Sequence, residues 1–381
     1  MGRVLGWGIL GILLSILISG ASPGRAAETP RLNPTGFTPG QVCGACHQDI
    51  YAMWKDSKHA RAFENSIFTA AYRDVQQAGG DARRLCLRCH APIAGVTGDL
   101  EAQQAITREG VTCDFCHSVT GVAIRDPDSP FVVEVGTIKR GPKVGSSSKA
   151  HGIQPSILHK SSRLCGGCHE FRNGEGVTTI STFAEWRASR YPAELRSCQD
   201  CHFLPVKRQP SVQATATADP RVPDHRLQRN EEQLRQAVRL EVQRVTRNAD
   251  RLEVAVAIRN VGSGHMVPTG HPSRRLLLKV EVRASGNGAT LGESTRTYQK
   301  HLLDGSGRIL LRDGDLLRAR SVQDTRIAPH ESRTETFVFP VPAGESVRVR
   351  AELEYLYRSH IVAGNEWRVQ VAQYTALIPA K

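Results

Sequence analysis

The sequence predicts an α+β fold of two domains: an N-terminal domain of short helices and loops, and a C-terminal antiparallel β-sandwich. Three observations lead to this prediction. Five Cys-x-x-Cys-His pentads crowd into residues 43–202, alternating apolar and polar residues begin near residue 234, and a Pro-, Ala- and Thr-rich stretch separates the two patterns. We therefore place the first domain at 37–206, a linker at 207–233 and the second domain at 234–381.

The chain begins with the features of a secretory signal peptide, which we assign to residues 1–26. Arg3 supplies the charged start, an apolar stretch runs from Val4 to about Ser19, and small residues follow. An uncleaved membrane anchor is the alternative, but the apolar stretch is shorter than the roughly 20 residues of a spanning helix. No other segment of the sequence is apolar enough to cross a bilayer. Because of the signal-like N-terminus, we expect a periplasmic or otherwise exported protein.

The pentads contain all ten cysteines of the chain. Cys-x-x-Cys-His is the attachment signature of c-type haem, in which two thiols bind the porphyrin vinyl groups and the adjacent imidazole ligates the iron. Zinc sites and disulfides give no reason for a histidine after every second cysteine, so we predict five covalently bound haem c groups. The predicted attachment residues are Cys43, Cys46, Cys86, Cys89, Cys113, Cys116, Cys165, Cys168, Cys198 and Cys201. The predicted proximal iron ligands are His47, His90, His117, His169 and His202.

Composition agrees with a haem-packed first domain. Aromatic residues make up only 6% of the chain, and porphyrins would supply the missing apolar surface. The formal charge of +13 would suit a nucleic acid or an anionic surface. Each ferric haem carries a net charge of about −1 because of its propionates, and arginine pairs well with carboxylates. We therefore expect no nucleic-acid partner.

The first domain shows short helical segments and little else, and the second shows short strands without helical interludes. In the first domain we predict a helix over 49–71 and a strand over 131–138. In the second, alternation predicts strands over 238–245, 252–258, 276–282, 336–339, 347–356 and 367–376.

Nine histidines lie outside the pentads, enough to give each of the five irons a second histidine. A haem that only carries electrons usually has both axial positions filled, and only Met53 and Met266 offer methionine instead after signal removal. The nine are His59, His151, His159, His225, His265, His271, His301, His330 and His360. We interpret the last three as surface residues of β turns or edges.

Residues 41–205 resemble the multihaem cytochrome c family, which includes the tetrahaem cytochromes c of ammonia oxidisers. The resemblance rests on four segments around the pentads, which are 43–60, 110–117, 161–170 and 185–202. It implies that His59, in a Ser-x-His-Ala element, is a distal iron ligand, as are His159 and His151 upstream of the fourth pentad. Phe203 stands where related proteins often have a methionine ligand.

The resemblance extends more faintly to two later histidines. His225 is similar to a histidine that follows the haem region in these proteins. Residues 260–270 look like a Gly-His-x-x-Pro-Thr-Gly element in the appended β domain of some members, which implies that His265 ligates a haem across the two domains. His271 competes with His265 for this role.

These features predict electron transfer through closely packed, mostly bis-histidine haems of low potential, with redox proteins as partners. The β domain would then be a clamp on the haem region or a docking module for a membrane oxidoreductase. The alternative function is a multihaem enzyme that reduces or oxidises a small nitrogen or sulfur compound at one open-faced haem. The sequence singles out no catalytic residue for it.

Overall fold

The structure is a computed structural model that describes residues 1–2, 31–77, 82–126, 129–214, 219–227, 231–364 and 366–380. The predicted signal peptide lies outside the described residues except for its first two positions. From Arg31 onward the chain forms one compact unit. Within the described ranges, no helix combines the length and apolar character needed to cross a membrane.

The N-terminal half is built from short α-helices, the longest of which has 12 residues. They are α1 (Gly40–Gly44), α2 (Gln48–Trp54), α3 (Ser66–Gln77), α4 (Ala82–His90), α5 (Ile93–Thr97), α6 (Ala105–Arg108), α7 (Cys113–Ser118), α8 (Ser162–His169), α9 (Thr182–Arg187) and α10 (Gln199–His202). The helices α4, α8 and α10 each end on a pentad histidine, and α7 contains the third pentad whole.

Two predictions of regular structure in this half are wrong in extent. The predicted helix over 49–71 is interrupted, because residues 55–65 form turns around His59, whose carbonyl oxygen accepts from the Val111 amide at 2.9 Å. The predicted strand over 131–138 stops early, because Gly136 adopts a left-handed φ of 140°. The strands of this half pair only two by two: β1 (Val119–Val122), β2 (Phe131–Val133), β3 (Ile138–Gly141), β4 (Gly152–Pro155), β5 (Phe171–Arg172), β6 (Thr178–Ile180), β7 (Pro205–Lys207) and β8 (Arg221–Pro223).

The C-terminal half is rich in antiparallel sheet. It begins with the helix α11 (Glu231–Ala237) and continues with β9 (Val238–Asn248), β10 (Arg251–Asn260), β11 (Arg274–Ala284), β12 (Thr290–Leu303), β13 (Ile309–Leu310), β14 (Ser321–Asp324), β15 (Ser332–Pro340), β16 (Val347–Arg358) and β17 (Glu366–Ile378). One sheet has the order β15-β10-β9, and the other has the order β13-β12-β11-β16-β17 with β14 paired to β12. The predicted α+β class is thereby confirmed.

The two sheets share one apolar core, as the predicted sandwich requires. Leu252 and Ile258 of β10 and Leu276 and Leu353 of the larger sheet are fully buried in it. Alternation explains this burial, because every second residue of a strand points to the same face. The apolar clusters of the N-terminal half are much smaller.

Polar contacts join the two halves. The Asn173 side-chain amide donates to the carbonyl oxygens of Leu316 and Ala319 at 3.0 and 2.9 Å. Arg312 forms an ion pair with Asp74 of α3 at 2.8 Å. The domain boundaries at 206 and 233 stay a prediction, and β7 with β8 and the start of α11 fall within or beside the predicted linker.

Candidate haem centres

The fold brings cysteines of different pentads together. Three thiol–thiol contacts join the pentads into two groups: Cys43 contacts Cys113, which links the first pentad to the third, whereas Cys89 contacts Cys168 and Cys165 contacts Cys198, which link the second, fourth and fifth. Burial also raises the pKa of the Cys86 and Cys116 thiols to about 12. Thiols of different pentads are thus close neighbours, as closely packed haem attachment sites require.

The pentad histidines are oriented by backbone carbonyls. The Nδ1 atoms of His47 and His90 lie 2.5 and 2.9 Å from the carbonyl oxygens of Pro210 and Ala62, and that of His117 is bonded to the Arg140 carbonyl oxygen. A ring that donates from Nδ1 keeps its Nε2 lone pair for a metal. The arrangement therefore fixes the tautomer that an iron ligand needs.

Four pentad histidines each face a histidine from outside the pentads. Two imidazoles on opposite sides of one metal ion, with bonds about 2 Å long, bring their ring centroids to about 6 Å. The observed centroid distances are 6.2 Å for His47–His151, 6.2 Å for His59–His169, 5.5 Å for His117–His159 and 6.4 Å for His202–His265. Each of these pairs has the separation that one shared iron would impose.

The imidazole nitrogens test whether a haem fits. Nδ1 of His59 and Nδ1 of His159 are buried without a hydrogen-bond partner, a costly state for a polar atom that nothing else binds. Burial lowers the pKa of His90 and of His117 to about 4 and that of His169 to about 3. The rings are therefore neutral at neutral pH, which is the form that binds a metal. The buried, neutral imidazole rings are therefore ligands that fit haem iron.

The loop that carries His265 is held on both sides. The His265 Nδ1 atom lies 2.8 Å from the Ser263 hydroxyl, and its carbonyl oxygen accepts from the Asn260 side chain at 2.9 Å. The following amide, that of Met266, donates to Glu185 of α9 at 3.2 Å. This loop belongs to the sheet half and Glu185 to the haem half, so the contact brings His265 against His202.

His90 has a different neighbour. The Phe68 ring lies parallel to it with centroids 3.9 Å apart, and no histidine of the described residues is paired with it at the distances above. His271 is near enough for its charge to lower the pKa of His90. Both His271 nitrogens are already occupied, since Nδ1 accepts from the Ser273 amide and Nε2 lies 3.2 Å from the Asp313 carbonyl oxygen.

The remaining histidines belong to none of the four pairs, although His225 lies near His47 and His117. The His225 ring lies edge-on to Phe203 at 5.7 Å, so its assignment as an iron ligand stays a prediction. His301 contacts Gln299, His330 packs on Tyr191 at 5.4 Å, and His360 contacts Arg275.

Sequence reasoning did not identify which arginines would serve the cofactors. Arg140 (Nη1), Arg274 (Nε) and Arg275 (Nε) each have a buried guanidinium nitrogen without a hydrogen-bond partner. Arg274 also lies near enough to His169 and His265 to lower the pKa of both rings. Such donors suit haem propionates. The only signal in the sequence was the overall excess of arginine.

Comparisons with known proteins agree with this site. Residues 42–118 match the family described as Cytochrome c554 and c-prime. A penta-heme cytochrome c552 from Thermochromatium tepidum is similar in structure over 90% of this chain and 99% of its own, with a TM-score of 0.71 and 22% sequence identity.

Other similarities are weaker. MtrC from Shewanella baltica OS185 matches 39% of this chain and 24% of its own at 12% identity and a TM-score of 0.20. No curated protein matches the sequence. The family match covers residues 42–118, and the penta-heme cytochrome c552 has the same fold along most of the chain; both agree with the resemblance of residues 41–205 to the multihaem cytochromes c.

Proposed function

We propose that this protein is an exported pentahaem electron carrier in which most haems are held by two histidines. The observation that carries this proposal is the set of four imidazole pairs, each of which joins one pentad histidine to one histidine from outside the pentads. The number of haems rests on the five pentads, and export rests on the signal-like N-terminus.

The chain's own residues would hold each haem in a fixed position and place charged and polar groups around it. Bound haem supplies reversible one-electron chemistry. Two thiols and two imidazoles per site resist movement when charge changes, which keeps reorganisation small. Contacts between thiols of different pentads keep neighbouring sites close, so that transfer distances are short. Buried donors such as Arg140 and Arg274 would offset propionate charge.

We assign the distal positions to His59, His151, His159 and His265. The test is the electron spin resonance spectrum of the oxidised protein after each is changed to Ala. Each change should convert one low-spin haem to high-spin and create one carbon monoxide site. The matched control is His301→Ala, at a histidine that belongs to none of the four pairs and contacts Gln299, which should leave the spectrum unchanged. A spectrum that responds to His225→Ala and not to His151→Ala would reassign the second ligand of the His47 iron.

The number of haems has its own measurement. Mass spectrometry of the mature protein should show the mass of the polypeptide plus about five haem groups, one for each pentad. A mature product that retains residues 1–26 would contradict a cleaved signal peptide and favour the uncleaved membrane anchor, whatever its haem content.

A second candidate function is catalysis at one open-faced haem, which the surroundings of His90 favour. Phe68, which cannot ligate iron, stacks on this histidine, and His271 is held nearby by Ser273 and Asp313. If this site is open, the wild-type protein should contain one high-spin haem that binds carbon monoxide. A wild-type protein that is low-spin throughout and inert to carbon monoxide would exclude this function and leave the carrier.

A further inference from the structure

The segment 138–163 is a continuous basic stretch without a single acidic residue. It covers β3, the loop after it, β4, a short 3-10 helix (Ile157–Lys160) and the start of α8. Its six basic residues are Lys139, Arg140, Lys143, Lys149, Lys160 and Arg163. The stretch therefore carries charge of one sign.

Five of the basic residues divide into two groups, and the sixth, Arg163, donates to the Val122 carbonyl oxygen at 2.9 Å. Lys139 and Arg140 turn inward and form ion pairs with Asp114 and Glu134. Lys143, Lys149 and Lys160 are exposed, and no carboxylate of the described residues forms an ion pair with them. The inner pairs thus fix the segment to the haem half, whereas the three lysines leave positive charge at the surface.

Large apolar side chains stand among these lysines. Val144 and Ile157 are 83% and 85% exposed, and Ile138 is half exposed. Exposed aliphatic side chains together with unpaired charges are a composition typical of protein interfaces, which combine apolar contacts with polar ones. We call the surface formed by Ile138, Val144, Ile157 and the three lysines the arm surface.

The segment that forms the arm surface also contains one histidine of each of two imidazole pairs. His151, at the end of the loop, faces His47 at 6.2 Å. His159, in the 3-10 helix, faces His117 at 5.5 Å, and the Arg140 carbonyl oxygen is bonded to the His117 Nδ1 atom. Residues of one short segment therefore reach two predicted haem sites on their inner side and solvent on their outer side.

We infer that the arm surface is the docking site of an acidic redox protein that exchanges electrons with the haem held by His47 and His151. The inference rests on the proposed function. Positive charge without local compensation attracts and orients an acidic partner, and the apolar centre stabilises the contact after the encounter. A partner bound to this segment would be next to the half-buried His47–His151 pair, because His151 belongs to the same segment.

Two other occupants fit less well. A second copy of this chain would bring the same basic surface to a shared interface, where like charges repel. A membrane of anionic lipid would suit the charge, but it contains no centre with which electrons can be exchanged. The acidic redox protein satisfies both requirements.

The probe is a plant-type ferredoxin, a small acidic protein that carries one electron. Its reduced form is mixed with the oxidised haem-loaded protein in a stopped-flow instrument, and the second-order rate constant is measured against ionic strength. The test variant is K143E/K149E/K160E. The matched control is R239E/R251E/R348E, which makes the same change in net charge at exposed positions of the two sheets. A third variant, V144S/I157S, removes the apolar centre and leaves the charge unchanged.

We expect the test variant to lower the rate constant at low salt at least about tenfold, and the control to lower it less than about threefold. The wild-type rate constant should fall steeply as salt is added, and that of the test variant should not. For V144S/I157S we expect a higher dissociation rate of the complex and an unchanged salt dependence. Equal losses in test variant and control would overturn the inference.

Two further outcomes would also overturn it. In the first, the wild-type protein sediments with phosphatidylglycerol vesicles and the test variant does not. The rate constant with ferredoxin is the same for both proteins in that case. The other is concentration-dependent dimerisation lost in the same variant. Failure of the electron-carrier proposal itself looks different, because haems that dithionite cannot reduce would remove the reaction in every variant alike.

Discussion

At the scale of single residues, the position of His59 depends on a glycine 51 positions later in the sequence. Gly110 has a left-handed φ of 72°, and a Cβ atom on it would lie 2.6 Å from the His59 carbonyl oxygen and 2.7 Å from that of Ala60. The next amide, that of Val111, donates to the same His59 oxygen. The absence of a side chain at Gly110 therefore permits the close approach that orients the His59 ring.

We predict that Gly110→Ala displaces His59 from His169. The substitution adds about 1–2 kcal/mol of left-handed strain and a clash with backbone atoms that cannot move aside. The oxidised protein should then show one additional high-spin haem in its spin-resonance spectrum. The matched control is Gly98→Ala, since Gly98 has a similar φ of 77° and open space around it. If both variants keep the wild-type spectrum, Gly110 does not position the ligand.

Residues differ in how well the sequence alone reveals them. The ten cysteines and five following histidines could be identified because a covalent attachment site has fixed local spacing. The distal histidines required a family resemblance, because their partners are far away in sequence. Phe68, whose ring stacks on His90, carries no sequence signal at all. Stacking is a property of the fold, and a phenylalanine in a helix is usually a core residue.

At the scale of elements, α9 and the loop that carries His265 are joined by a buried cluster of charges. Glu185, Lys300 and Arg326 have side chains that are only 3–5% exposed, and the Glu185–Arg326 ion pair measures 2.7 Å. Burial opposes ionisation of Glu185, but Arg326 and the neighbouring hydroxyls still lower its pKa. The other Glu185 oxygen accepts from the Met266 amide and the Thr269 hydroxyl.

We predict that Glu185→Gln destabilises the protein by roughly 3 kcal/mol or more, because it leaves Arg326 and Lys300 buried without their shared carboxylate. Guanidinium unfolding followed by far-ultraviolet circular dichroism measures the loss. The control is Asp56→Asn, which breaks an exposed ion pair with Arg61 and should cost less than about 1 kcal/mol. Equal costs for the two variants would show that the cluster contributes no more than a surface pair.

The same cluster predicts a dependence on pH. Burial, with the nearby charge of Arg326, lowers the pKa of Lys300 to about 8, whereas an unfolded lysine titrates near 10.4. Between these values the unfolded chain binds more protons, so the Lys300 contribution to stability rises as the pH is raised. The free energy of unfolding of wild type relative to Lys300→Met should therefore increase between pH 7.5 and about 10. A difference that stays constant over this range would contradict the pKa shift.

At the scale of the whole molecule, the α+β class and most strands could be predicted; a link between the halves through His265 was expected from the resemblance, and the polar contacts between the halves could not be predicted. Alternation fixes which face of a strand is buried, so β9, β10, β11, β15, β16 and β17 were recognisable, whereas β12, β13 and β14 were missed. The predicted helix 49–71 was too long because the turns at 55–65 depend on a contact between the His59 carbonyl oxygen and the Val111 amide, which is distant in sequence. The contacts between halves depend on single polar residues such as Asn173, which in sequence resemble any loop residue.

These contacts predict that the haem half and the sheet half unfold together. Asn173 is 6% exposed, its amide nitrogen donates to two carbonyl groups of the sheet half, and its oxygen accepts from the Glu175 and Val177 amides of its own loop. If the halves form one cooperative unit, haem-band circular dichroism and far-ultraviolet circular dichroism should report the same guanidinium midpoint. Asn173→Ala leaves buried acceptors unpaired, so it should lower both midpoints together. The free energy of unfolding should fall by about 2 kcal/mol or more. Two separate midpoints in the wild-type protein would mean that the halves are independent domains, and the His202–His265 pair would then be the first contact to open.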